Sequence, residues 1–112
     1  MSHSEDFLKL AAAARARIRE IQPADLREKP EALLLDVRER EEFEQGHLEG
    51  ATHLSRGVLE MRIHEVAPEK DTPIVVYCAG GNRGALAADT LQQLGYTNVM
   101  SICGGLKAFD AE

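Results

Sequence analysis

Four consecutive β-favouring residues, Ile74-Val75-Val76-Tyr77, run directly into Cys78-Ala79-Gly80-Gly81-Asn82-Arg83-Gly84, and an alanine- and leucine-rich segment with helical spacing follows. This passage restricts the fold more than any other. An apolar run that stops in glycines and resumes with helical periodicity reads as buried strand, tight loop and helix. Cys78 then stands where the strand leaves the sheet, facing N–H groups that a helix start leaves unpaired. Such groups favour anions, so the thiolate gains over the thiol and Cys78 is a candidate nucleophile. Gly80 and Gly81 are expected to supply the positive φ values that turn successive amides inward, making Ala79 through Gly84 a ring of donors. Arg83 would add a full charge and a planar fork suited to an oxyanion. A cation at a helix N-terminus opposes the dipole, a local cost that favours a functional over a merely solvated Arg83.

The rest of the chain supplies alternating strands and helices. Ser2-His3-Ser4-Glu5 fits a capping box with Ser2 as N-cap, and Phe7, Ala11, Ala14 and Ile18 share one helical face. Residues 1–17 are therefore read as a helix packed on the outside of a domain spanning 18–112, without a chemical role. Arg17–Ile21 alternates like an edge strand, and Pro23 opens a brief helix to about Lys29. Leu33-Leu34-Leu35-Asp36-Val37 is a doubly buried strand with Asp36 near its end. A charged helix over Arg38–Gln45 follows, anchored by Phe43, stopped by Gly46, with Arg38 and Glu42 spaced to pair. Ala51–Leu54 is a short strand. Gly57–Val66 is a helix with Leu59, Ile63 and Val66 on one side. Past the cysteine loop, Leu86, Ala87, Thr90, Leu91 and Leu94 mark a buried helical face ending at Gly95. Val99–Ile102 is a last strand, and Gly104-Gly105 turns into a short helix carrying Leu106 and Phe109. Five or so strands with long crossovers make an α/β fold: an open, mainly parallel five-stranded sheet with helices on both faces. Ligands of such sheets sit beyond the carboxyl ends of the strands, where Cys78 lies.

Charge and cysteine usage narrow the functions. A length of 112 residues fits one domain with its own core, and a net charge of −6 argues against nucleic acid or an anionic membrane as partner. The longest apolar runs are too short to cross a bilayer, and Glu5, Asp6 and Lys9 spoil any secretory signal. Two cysteines make neither a disulfide framework nor a zinc site, so a reducing compartment, the cytoplasm, is the expected home. His47, His53 and His64 fall on different elements with no completing ligand; neither metal nor cofactor is expected. Cys103 ends the last strand and reads first as a small buried side chain, second as a thiol that resolves or protects a product on Cys78.

Leu35-Asp36-Val37-Arg38, Glu42-Phe43, Gly46-His47-Leu48-Glu49-Gly50-Ala51, the cysteine loop and Gly104-Gly105, in this order and spacing, resemble the rhodanese homology family in its single-domain form. The matches run from about residue 18 to 109. Two positions depart from the family pattern: Glu49 stands where proline is usual, and Phe109 where tryptophan is common. The resemblance implies a sulfurtransferase. Sulfane sulfur from thiosulfate or a similar small anion would pass to Cys78 as a persulfide and then to cyanide or a thiol. It also implies substrate contacts from Ala79, Gly80, Gly81, Asn82, Arg83 and Gly84, with Asp36 and Arg38 beside the loop. Sulfane transfer needs an ionised thiol and stabilised anions, and no general base once the thiol is ionised.

Two other functions compete. Cysteine-dependent phosphatases and arsenate reductases have a similar loop with five residues between Cys and Arg. Here four separate Cys78 from Arg83, so a tighter cup, poorly suited to a phosphate ester, is expected. A non-catalytic binding or regulatory module is the other alternative, against which stands the retention of Cys78, Gly80, Gly81 and Arg83. The sequence leaves the oligomeric state open.

Overall fold

The computed structural model of the protein describes residues 4–110. The apolar runs become β1 (Arg19–Ile21), β2 (Leu33–Asp36), β3 (Thr52–His53), β4 (Ile74–Tyr77) and β5 (Val99–Ile102), in one sheet ordered β1-β5-β4-β2-β3. Every neighbouring pair is parallel, as crossovers of helical length require. β4 is central, so both of its faces are covered. This is why Ile74, Val75, Val76 and Tyr77 carry no polar alternation and are all 0% exposed.

The helices are α1 (Glu5–Arg15), α2 (Arg40–Glu44), α3 (Leu59–Val66), α4 (Asn82–Gln93) and α5 (Lys107–Asp110), with 3-10 turns at Pro23–Glu28 and Arg56–Val58. Side-chain alternation along β4 divides the core in two. Ile74 and Val76 pack with Leu35, Leu59, Ile63, Ala87, Ala88 and Leu91 on the face covered by α3 and α4. Val75 and Tyr77 pack with Ile21, Met100 and Ile102 on the other, beneath Leu26, Leu48, Leu106 and Phe109. Helical cover on both faces is the expected α/β arrangement. No helix among the described residues is long and apolar enough to cross a membrane.

α1 lies on α4 with Ala11 and Ala14 fully buried, as the apolar stripe predicts. Its cap is Ser4, whose Oγ accepts from the Phe7 amide at 3.1 Å; the expected cap, Ser2, lies outside the described residues. Beyond α1, Arg17 donates to both carboxylate oxygens of Asp89 on α4, at 3.0 and 2.7 Å. That contact holds the Asp89 carboxyl below its usual range.

Several element ends and one helix face differ from expectation, beginning with β1, which starts at Arg19 instead of Arg17. α2 opens at Arg40 instead of Arg38, because Arg38 turns back onto Asp36 and Glu39 takes an extended N-cap conformation. The expected Arg38–Glu42 pair is consequently absent: each charge has another partner. The helix expected from Gly57 starts as a 3-10 turn, becomes α-helical at Leu59, and leaves Val66 38% exposed while Ala67 is buried. Of the expected buried face of α4, Ala87 and Leu91 are buried, Leu86 and Thr90 half-buried and Leu94 exposed; Gly84, Ala85, Ala88 and Asp89 are buried as well, because small residues let the helix lie close to the sheet and to α1.

Candidate active site

Cys78 follows β4 directly, and the loop to α4 folds back around its sulfur. Sγ accepts from the Gly81 amide at 3.0 Å and the Gly84 amide at 3.2 Å. Gly81 sits at φ +105°, the N-cap of α4, a conformation that strains any residue with a Cβ. Gly80 does not share it: among the two loop glycines expected to have positive φ, only Gly81 does. Among the described residues, the amides of Ala79, Gly80, Asn82 and Arg83 donate to no protein acceptor. Two donors thus already hold the sulfur, and four more remain for a ligand on the loop.

The loop is pinned from beneath by the chain after β5. The Leu106 amide donates to the Cys78 carbonyl at 2.7 Å and the Lys107 amide to the Ala79 carbonyl at 3.0 Å. Gly105 (φ +64°) lies so close that a Cβ there would stand 2.5 Å from the Cys78 oxygen. From above, Arg15 of α1 donates Nη2 to Asn82 Oδ1 at 2.7 Å, bracing the first residue of α4.

Asp36 and Arg38 do not reach the cavity over Cys78. The Asp36 carboxylate is fully buried and accepts from Arg38 Nε, Nη2 and the Arg38 amide. Nη2 also donates to the Gly46 carbonyl at 2.7 Å. The pair therefore closes the turn between β2 and α2 from both ends, and donation to the Asp36 carboxylate, against the opposing effect of burial, raises the Arg38 guanidinium above its ordinary value. Beside it, burial pushes the Tyr77 phenol up to about 12, and its hydroxyl accepts from the Leu48 amide.

The closed turn positions α2, and α2 delivers the residue that sequence reading missed. Glu42 takes Arg83 in a two-point contact, Nη1 to Oε1 at 2.7 Å and Nη2 to Oε2 at 3.1 Å, while Oε1 also accepts from the Glu39 amide at 3.0 Å. Arg83 donation, partly offset by burial, brings the Glu42 carboxyl down to about 2. Arg83 was expected to face a donor anion with its full charge; instead most of that charge is answered within the protein. The opposed-dipole cost noted for Arg83 is met by the same acid. Only the motif Glu42-Phe43 hinted at this, and without a partner assigned.

A cavity of about 340 Å³ opens over the sulfur, lined by Phe7, Glu42, Cys78, Ala79, Gly80, Asn82, Arg83 and Lys107. The tight cup expected from loop length is a property of the amides at Sγ and not of the cavity, because α1 and α5 build its walls outward. α1, given no chemical role from sequence, contributes Phe7. Cys103 follows β5, half-buried, with its amide on the Ile21 carbonyl, and does not line this cavity. His47 and His53 donate to the carbonyls of Phe43 and Arg38, and the Phe43 ring stacks on His47 at 3.7 Å.

Comparison with known proteins gives a consistent result. The Rhodanese-like domain model matches residues 22–112. Over 88 residues the chain is 34% identical to the thiosulfate sulfurtransferase GlpE of Tolumonas auensis, covering 79% of this chain and 81% of that one. Over 76 residues it is 40% identical to the uncharacterized protein YqhL of Bacillus subtilis, covering 68% of this chain and 59% of the relative, so the match spans little more than half of that protein. Among solved structures, RPA3614 of Rhodopseudomonas palustris, described as a possible tyrosine phosphatase of unknown function, superposes with a TM-score of 0.82 at 30% identity, covering 99% of this chain and 94% of that one.

Proposed function

Because the chain belongs to the rhodanese-like domain family, we propose that it is a sulfurtransferase in which Cys78 carries sulfane sulfur as a persulfide between a small sulfur-containing anion, such as thiosulfate, and a thiol or cyanide acceptor. The observation that carries this reading is the sulfur of Cys78 held by the Gly81 and Gly84 amides at the base of an open cavity. Donors that favour a thiolate also favour the anionic outer sulfur of a persulfide, and the amides of Ala79, Gly80, Asn82 and Arg83 remain available to it. With thiosulfate, the thiolate attacks the sulfane sulfur, the S–S bond breaks, and its electron pair leaves on sulfite. A thiolate or cyanide then takes the outer sulfur and restores the Cys78 thiolate. Once the thiol is ionised, no proton transfer lies on this route. Asp36 and Arg38 act at one remove, by fixing the turn that carries Glu42 to Arg83. Both cysteines are free thiols, which fits a reducing compartment such as the cytoplasm.

Treatment with thiosulfate followed by mass spectrometry tests the proposal: a gain of about 32 Da, one sulfur atom, absent in Cys78→Ser, supports covalent transfer. No gain would leave a non-catalytic module. A second reading, phosphatase or arsenate reductase, draws on the similarity to RPA3614. Four residues between Cys78 and Arg83, and an arginine engaged by Glu42, leave less for a phosphate ester to bind. Release of phenol from an aryl phosphate, dependent on Cys78, would favour it.

A further inference from the structure

With Cys78 ionised, the charges that line its cavity cancel, Cys78 and Glu42 against Arg83 and Lys107. An incoming anion therefore gains nothing from net charge, and its binding depends on which way the neutral dipoles of the lining point. Among the described residues of that lining, Asn82 supplies a neutral polar side chain. Its carboxamide has an accepting oxygen at one end and a donating NH2 at the other, so a half-turn about its last bond changes what a ligand meets from N–H to carbonyl.

The end that faces the first helix is fixed. Arg15 Nη2 lies 2.7 Å from Asn82 Oδ1. A guanidinium carries only donors, so the atom it meets has to be the oxygen, and the NH2 is turned away from Arg15. That NH2 donates to no protein acceptor among the described residues. Arg15 is itself held: its Nε lies 3.6 Å from Glu20 Oε2 on β1, and its Nη2 lies 3.3 Å from where a Cβ on Gly81 would stand. The Gly81 amide donates to the Cys78 sulfur, so the guanidinium, Asn82 and a donor to the thiol form one contiguous group. The family match begins at residue 22, and Arg15 ends α1 before it.

We infer that Arg15 is a positioning residue for the Cys78 site: it holds the Asn82 carboxamide with its NH2 toward the cavity, and so makes Asn82 a donor to the anion bound over the sulfur. The inference deepens the sulfurtransferase reading and rests on it for the identity of that anion. Without Arg15 the carboxamide is free to turn, and its oxygen then opposes the anion. Arg15 touches no reacting atom; its action on the site passes through Asn82.

Thiosulfate binding, read apart from sulfur transfer, tests this. In Cys78→Ser, where no persulfide forms, calorimetric titration of thiosulfate gives an affinity that Arg15→Met should weaken by about threefold to tenfold. Arg15→Lys, whose ammonium also only donates, should restore most of it. Asn82→Asp keeps the contact with Arg15 but puts an oxygen in place of the NH2, and it should weaken binding by more than about tenfold while thermal stability is held or raised. In an Asn82→Ala background, Arg15→Met should have no further effect. Arg17→Gln loosens α1 at Asp89 instead and should leave the affinity unchanged, with thermal unfolding checking that every variant folds. In turnover by the protein that retains Cys78, Arg15→Met should raise KM for thiosulfate by the same factor and change kcat little. An affinity unmoved by Arg15→Met or by Asn82→Asp, a further loss in the Asn82→Ala background, an equal loss in Arg17→Gln, or no binding of thiosulfate to Cys78→Ser would each overturn the inference. Binding that follows the expected pattern without sulfur loading onto Cys78 would instead overturn the sulfurtransferase reading and leave the role of Arg15 standing.

Discussion

Glu42 and Arg83, 41 positions apart in sequence, meet in a two-point ion pair at 2.7 and 3.1 Å on the rim of the Cys78 cavity. The pair offsets the charge that Arg83 presents to the cavity. Glu42→Gln removes the acid while keeping an acceptor for the Glu39 amide, and it should strengthen binding of dianionic thiosulfate. Both side chains are about one-third exposed, so solvent screening keeps the pair under about 1 kcal/mol, or up to roughly fivefold in affinity. Steady-state kinetics should show KM for thiosulfate falling by a factor in that range, with steeper dependence on ionic strength.

Acid should expose the same contact. Glu42 titrates at about 2 against an ordinary 4.5 because Arg83 donates to it. A depressed carboxyl stabilises the folded state above its unfolded value and ceases to do so as pH falls through the folded one. The difference in urea midpoint between the parent protein and Glu42→Gln should therefore be constant from pH 8 down to about 5 and shrink between about 4.5 and 2. A difference that vanished already at neutral pH would contradict the pairing.

The buried pair of Asp36 and Arg38 should behave differently from this exposed one. Asp36→Ala leaves a guanidinium buried without its acid and should cost about 3–5 kcal/mol in urea unfolding. Replacing both residues with apolar ones of similar size should cost less than the single change, although the Gly46 carbonyl then loses its donor. A single variant as stable as the parent would show that the pair does not hold the turn.

Gly105 admits no side chain. A Cβ would lie 2.5 Å from the Cys78 oxygen and 2.7 Å from the Ala79 carbonyl carbon, at φ +64°. Gly105→Ala should lower stability by more than about 3 kcal/mol, since clash and backbone strain add. Thermal unfolding measures it.

Ser101 offers the opposite sign. Its hydroxyl is fully buried on β5 without a hydrogen-bond partner among the described residues, and a Cβ on Gly84 would lie 3.0 Å from Oγ. Ser101→Ala relieves an unsatisfied polar group without adding bulk and should raise stability by about 1 kcal/mol, or about 4 °C or more in Tm.

The features that sequence made legible are those written in contiguous residues. Ile74–Tyr77 read as a strand covered on both faces, and the glycines after Cys78 as a loop running into a helix start, which the structure places at Asn82. Asp36 was visible as a carboxylate interrupting an apolar run. Partner choice was not visible, because it depends on which distant elements the sheet order brings together. Glu42 reaches Arg83 only because α2 follows β2, the neighbour of β4 in the sheet. Phe7 and Arg15 reach the site only because α1 lies on α4. The helix ends moved for a local reason: Arg38 found a buried acid two residues back, and that outweighed the few tenths of a kcal/mol available from a helical pair with Glu42.

The hydrogen bonds from Leu106 and Lys107 to the carbonyls of Cys78 and Ala79 have a consequence for how the protein comes into being. During synthesis, Cys78 is translated well before the strap that shapes its loop. Until residue 107 has cleared the ribosomal exit tunnel, the thiol is present but its loop is unfinished, so the loop takes its final form only after the segment beyond β5 has emerged.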